Sequence, residues 1–212
     1  NKKEGAHFTK LAADQGHIES MYKYGIMLFE GDGVEEDKSG ASRYFKQAAD
    51  QGHVASMYKY AVMCDNGDGI KIDKKEASKY YQIASDQGHV ESMFSYALML
   101  SNGDGINENK ELASQYYKRA ADQGHVDSMV NYAIIVEKGV GVEINKREAA
   151  KYYKMSADKG NVDAMFNYGV MLYNGEGVEV NKRKTAKYYK MAADKGDQEA
   201  MKKYMEIRHK GY

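Results

Sequence analysis

Apolar and polar positions follow two alternating rhythms along this chain. The stretch Lys74–Gln87 puts Ala77, Tyr80, Tyr81, Ala84 and Ser85 at i, i+3, i+4, i+7 and i+8, with Lys79, Gln82 and Asp86 opposite. That spacing predicts an amphipathic helix with one buried stripe. The stretch before it, Val54–Asp65, behaves differently. At about 100° per residue Ser56, Tyr60 and Cys64 share a face with Met57 and Ala61 beside them, yet Tyr58 and Val62 on the far side are apolar too. Only a narrow arc stays polar, so this helix is expected to be buried on several sides and to be the inner of a pair. The Tyr-Tyr helix is then the outer, wetter one.

The two rhythms alternate with a period of 36 residues. Gly16, Gly52, Gly88, Gly124, Gly160 and Gly196 fill one column; Met21, Met57, Met93, Met129, Met165 and Met201 a second; Tyr24, Tyr60, Tyr96, Tyr132, Tyr168 and Tyr204 a third. Complete units run 17–52, 53–88, 89–124, 125–160 and 161–196, with a partial unit 1–16 and a C-terminal capping helix 197–212. A fixed period of this size predicts one all-α array, an α/α solenoid of helix-turn-helix repeats in which no unit buries its apolar face alone. The chain has no proline to interrupt the helices. Asp37, Asp73, Asn109, Asn145 and Asn181 stand where the outer helices need an N-cap, and Glu76 and Glu148 extend two of them to capping boxes. The connectors repeat Gly31-Asp32-Gly33-Val34 as Gly67-Asp68-Gly69-Ile70 and so on. The first glycine fits a left-handed helix C-terminus, the second a further tight bend.

The small, Gly-x-Gly-Val, Asp/Asn, Ala-x-x-Tyr-Tyr and Ala-Ala-Asp-x-Gly positions resemble the Sel1-like repeats, a branch of the tetratricopeptide-type helical repeats, over nearly the whole chain. The family pattern has leucine where this chain has Tyr24 and its copies, and an aromatic where it has Leu28, Cys64, Leu100, Val136 and Leu172. Ring and aliphatic look exchanged between adjacent turns. The resemblance implies paired antiparallel helices in a right-handed superhelix, with an adaptor or scaffold role.

Composition narrows the partners. The formal charge is zero, leaving no basic footprint for nucleic acid and no polybasic membrane anchor. Residues 1–124 carry about four more acidic than basic side chains, and residues 125–212 about four more basic ones. No apolar run reaches the roughly 18 residues of a membrane span. A single cysteine, Cys64, and no Asn-x-Ser/Thr sequon fit a reduced, cytoplasmic setting. The start at Asn1, inside a repeat, reads as part of a longer protein.

Several constellations point to chemistry and then fall away. His17, His53, His89 and His125 look like a metal ladder, but Asn161 and Asp197 continue the column. All six precede a helix and accept an N–H, which predicts N-caps and no metal. Ser20-Met21-Tyr22-Lys23 and Ser56-Met57-Tyr58-Lys59 match Ser-x-x-Lys, yet the serine continues as Ser92, Ser128 and Ala164 and no companion motif follows. Asp65-Asn66-Gly67-Asp68-Gly69 has glycines where a calcium loop needs oxygen ligands, and its Gly-x-Gly lacks the strand a dinucleotide site requires. No catalytic residue, metal or cofactor is expected.

What remains is a surface. Lys23, Lys59, Ser95, Asn131, Asn167 and Lys203 occupy one position of the polar arc, flanked by Tyr22, Tyr58, Phe94 and Phe166. Stacked along a solenoid they would line its concave wall. Lysines hold carboxylates, and asparagines bond an extended backbone through both donor and acceptor. The expected function is a non-catalytic scaffold or adaptor for an extended or acidic segment of another protein. The alternative is a regulatory arm of a larger enzyme such as a protein kinase. The oligomeric state is left open.

Overall fold

The computed structural model describes all residues 1–212 and contains twelve α-helices and no strand. They form two compact units. Unit 1, Asn1–Glu108, holds α1 (Lys2–Asp14), α2 (Ile18–Glu30), α3 (Lys38–Asp50), α4 (Val54–Asn66), α5 (Lys74–Asp86) and α6 (Val90–Asn102). Unit 2, Asn109–Tyr212, holds α7 (Lys110–Asp122), α8 (Val126–Lys138), α9 (Lys146–Asp158), α10 (Val162–Asn174), α11 (Lys182–Ala193) and α12 (Gln198–His209). Within each unit every even-numbered helix packs against the odd-numbered helix on either side of it in sequence.

The caps are those that the columns predict. His53 Nδ1 accepts the Ser56 N–H at 3.2 Å, His89 that of Ser92 at 3.2 Å, and Asp197 Oδ1 that of Ala200 at 2.8 Å. Asp73 and Asn145 cap α5 and α9 through Glu76 and Glu148 N–H at 2.9 and 3.0 Å, and the Asn145 amide also meets Glu148. Gly67 ends α4 in the left-handed region at φ 79, as the first glycine of the connector should. The second glycine does more than bend. A Cβ on Gly69 would lie 2.5 Å from Lys38 Cβ and 2.6 Å from Lys38 C, at the start of the preceding odd-numbered helix. Glycine is needed there for close backbone approach as well as for φ +70.

Small residues set the helix spacing: Ala48, Ala84, Ala120 and Ala192 are fully buried, and so is Ser156 in the same column. The two tyrosines of the outer helix have separate tasks. The first meets the even-numbered helix edge to face, Tyr24–Tyr44 and Tyr60–Tyr80 each 5.0 Å between centroids, Tyr132–Tyr152 and Tyr168–Tyr188 each 4.8 Å. Its hydroxyl reaches back one repeat: Tyr44 donates to Asp14 at 2.6 Å, Tyr188 to Asp158 at 3.2 Å, and Tyr80 and Tyr152 to Asp50 and Asp122. The terminal aspartate of each such helix is therefore an acceptor for the next repeat. In the sequence this aspartate shows only as part of the recurring Ala-Ala-Asp-x-Gly motif.

Candidate functional site

The exposed face of the even-numbered helices carries the residues singled out above. In unit 1, Lys23 is exposed and forms a 3.4 Å pair with Glu19, while Lys59 is half-buried and makes no ion pair. Ser95 is half-buried. In unit 2 the half-buried amides of Asn131 and Asn167 make no hydrogen bond within the chain, and Lys203 is exposed, 3.5 Å from Glu206. Unsatisfied amides at a partly open surface offer donor and acceptor together to an extended segment.

The flanking rings are half-buried and pack on the outer helix of their own repeat, and two of them also on the capping histidine of the next. Tyr22 lies 4.9 Å from the His53 ring and 6.0 Å from Phe45; Tyr58 lies 4.8 Å from His89 and 6.0 Å from Tyr81; Phe166 lies 5.5 Å from Tyr189. Phe94 is half-buried in the same column. These rings build the wall of the face, with one edge left open to it.

In each unit, taken by itself, aliphatic residues lie beside the polar positions. Ile26, Val62, Ile134 and Val170 are half-buried, and Leu98 is 42% exposed. The apolar far side predicts burial on several sides, yet Leu98 in this column is exposed and its copies are only half-buried. The signal was present: it lies three residues after Lys23 and four before Glu30, and residues at those spacings are neighbours on a helix. The face is thus amphipathic, a polar row next to an apolar one.

The histidines and serines assemble into caps. His53 Nδ1 takes both the Ser56 N–H and, at 2.8 Å, the Ser56 Oγ, and its Nε2 is 3.5 Å from Glu19. Although the order Ser-His-Glu invites a catalytic reading, Ser56 is fully buried and its hydroxyl is held by its own cap. No three metal-binding side chains converge anywhere in the chain. No helix is long and apolar enough to cross a membrane.

The family model for the Sel1 repeat matches residues 1–17, 18–53, 54–89, 90–125, 126–161 and 162–197. Among solved structures, the chain is similar to c5321, a protective antigen of uropathogenic Escherichia coli strains displaying an SLR fold, at 28% identity and TM-score 0.94; the match covers 100% of this chain and 45% of that one. It is also similar to a Sel1 repeat protein from Oxalobacter formigenes at 26% identity and TM-score 0.82, covering 89% of this chain and 77% of that one. This chain thus spans under half the length of the E. coli antigen. No curated protein matches the sequence.

Proposed function

We propose, for a chain that belongs to the Sel1 repeat family, that it is a non-catalytic scaffold or adaptor whose even-numbered helices hold an extended or acidic segment of another protein. Sel1 repeats are generally protein-interaction scaffolds. The observation that carries the finer reading is the pair of unpaired amides, Asn131 and Asn167, one repeat apart on α8 and α10 beside the aliphatic Ile134 and Val170. A strand-like peptide presents N–H and C=O groups that such amides satisfy, while its apolar side chains cover the aliphatic row. In unit 1 Lys59, at the equivalent position of α4 and without an acidic partner, offers a charge for a carboxylate.

The experiment is affinity capture with the 212-residue chain, followed by binding of the purified partner to Asn131→Ala/Asn167→Ala. The reading expects an unchanged melting temperature and at least tenfold weaker binding, about 1.4 kcal/mol. Full affinity in the double variant removes the assignment of this face.

A further inference from the structure

The second tyrosine of the Tyr-Tyr pair directs its hydroxyl to the even-numbered helix of its own repeat. Tyr153 donates to Glu137 Oε2 at 2.8 Å. In unit 1, burial first and then the Asp65 carboxylate of α4 hold Tyr81 above its ordinary value. One repeat after Glu137 the position is Tyr173, which brings no carboxylate. Tyr189 is only 4% exposed, and its hydroxyl makes no hydrogen bond in the chain. No fully buried side-chain polar atom lacks a partner, so this hydroxyl must reach open space. That space is a cavity of about 270 Å³ with Val170 and Ile207 as its apolar wall and Lys203, Glu206 and Lys210 at its rim.

We propose that this cavity receives a carboxylate borne beside an aliphatic group on a partner protein, the carboxylate accepting from Tyr189 as Glu137 does from Tyr153. The proposal rests on the reading that a partner lies along the even-numbered helices and names the chemistry of one contact. Lys203 is shared with Glu206 at 3.5 Å, whereas Lys210 has no acidic partner and is left to meet an incoming carboxylate. Burial first, then Tyr173, Glu206 and Glu199, pushes Tyr189 up to about 12, which keeps it a donor at neutral pH. The cavity is too small for a helix and admits about one residue. The carboxylate could be a chain terminus or an acidic side chain; both present the same two oxygens.

The test is NMR titration of the 212-residue chain, observing the Tyr189 ring, with three probes. N-acetyl-leucine carries a terminal carboxylate, N-acetyl-glutamate α-amide a side-chain carboxylate, and N-acetyl-leucinamide none. We expect saturable shifts with at least one carboxylate probe and none with the amide; the probe that binds identifies the source. Tyr189→Phe keeps the ring and should weaken that probe about tenfold, the scale of a charge-assisted hydrogen bond. Lys210→Gln, at an exposed position, should weaken it several-fold. No response to any probe, equal response to all three, or undiminished binding to Tyr189→Phe overturns the proposal. Since Asn131 and Asn167 do not line the cavity, loss of the captured partner in their double variant would leave the face itself standing in any of those cases.

Discussion

The Tyr44 hydroxyl donates to the Asp14 carboxylate 2.6 Å away and 30 residues back, so the end of one repeat's helix is held by the middle of the next. Burial first, then this bond, pushes Tyr44 up to about 12. Because the folded value lies above the ordinary 10, the contribution to stability is complete below pH 10 and fades as pH rises toward about 12. Alkaline titration followed by circular dichroism should show unfolding in that window, and Tyr44→Phe should move its onset upward. An unchanged onset contradicts this role.

The same contact predicts an asymmetry in unit 2. Tyr152 is fully buried and donates to Asp122, which is exposed. Removing the donor with Tyr152→Phe leaves a carboxylate that water can solvate, at a cost of about 1 kcal/mol. Removing the acceptor with Asp122→Ala withdraws that carboxylate from the same hydroxyl, which keeps only Lys118 at 2.9 Å, and should cost more, about 2 kcal/mol. Urea denaturation of both variants measures the order; the reverse order refutes the account.

Two glycines with positive φ should differ sharply in their tolerance of alanine. A Cβ at Gly52 meets nothing within 4 Å, so Gly52→Ala pays only the left-handed backbone strain, about 1 kcal/mol. At Gly69 the Cβ meets Lys38 backbone atoms at 2.6 Å, adding about 1–3 kcal/mol of overpacking. Thermal melts should place Gly69→Ala well below Gly52→Ala, and equal losses would show that the connector is not in close contact with α3.

The His89 cap carries a pH dependence. Burial, against the pull of Glu91, lowers its pKa from 6.5. With the folded value depressed, the stabilisation is present above pH 6.5 and is lost as pH falls through the folded value. Protonation also removes the Nδ1 lone pair that accepts the Ser92 N–H. Asparagine caps without titrating, as Asn161 does for Ala164 at 2.9 Å. His89→Asn should therefore melt near the parent at pH 7.5 and above it at pH 5; parallel pH profiles would contradict this.

Most of the fold is legible in the sequence because its determinants are local. A helix cap is set within three residues, as for His53 and Ser56, and a connector glycine within one turn. The 36-residue period then copies each solution. What escaped depends on contacts between repeats. Nothing near Asp14 announces that Tyr44 will bond it, and nothing near Gly69 announces Lys38. For the candidate site, the polar row could be read from alternating chemistry, but the open edge of Leu98 could not be read from its type: the same column is apolar whether it is covered or bare. The free hydroxyl of Tyr189 is partly legible from the period, since its column reads Phe29, Asp65, Ser101, Glu137 and Tyr173 and brings a carboxylate only at Asp65 and Glu137.

The most direct measurement of the central claim is site-specific photo-cross-linking. A benzophenone side chain is placed at Lys59 or Asn131 on the even-numbered helices, and at the exposed Gln82 or Lys187 on the odd-numbered ones. With the purified partner present, cross-links should form from Lys59 and Asn131 and be absent from Gln82 and Lys187. Cross-links from the odd-numbered helices alone, or equally from both, would contradict a partner held on the even-numbered face.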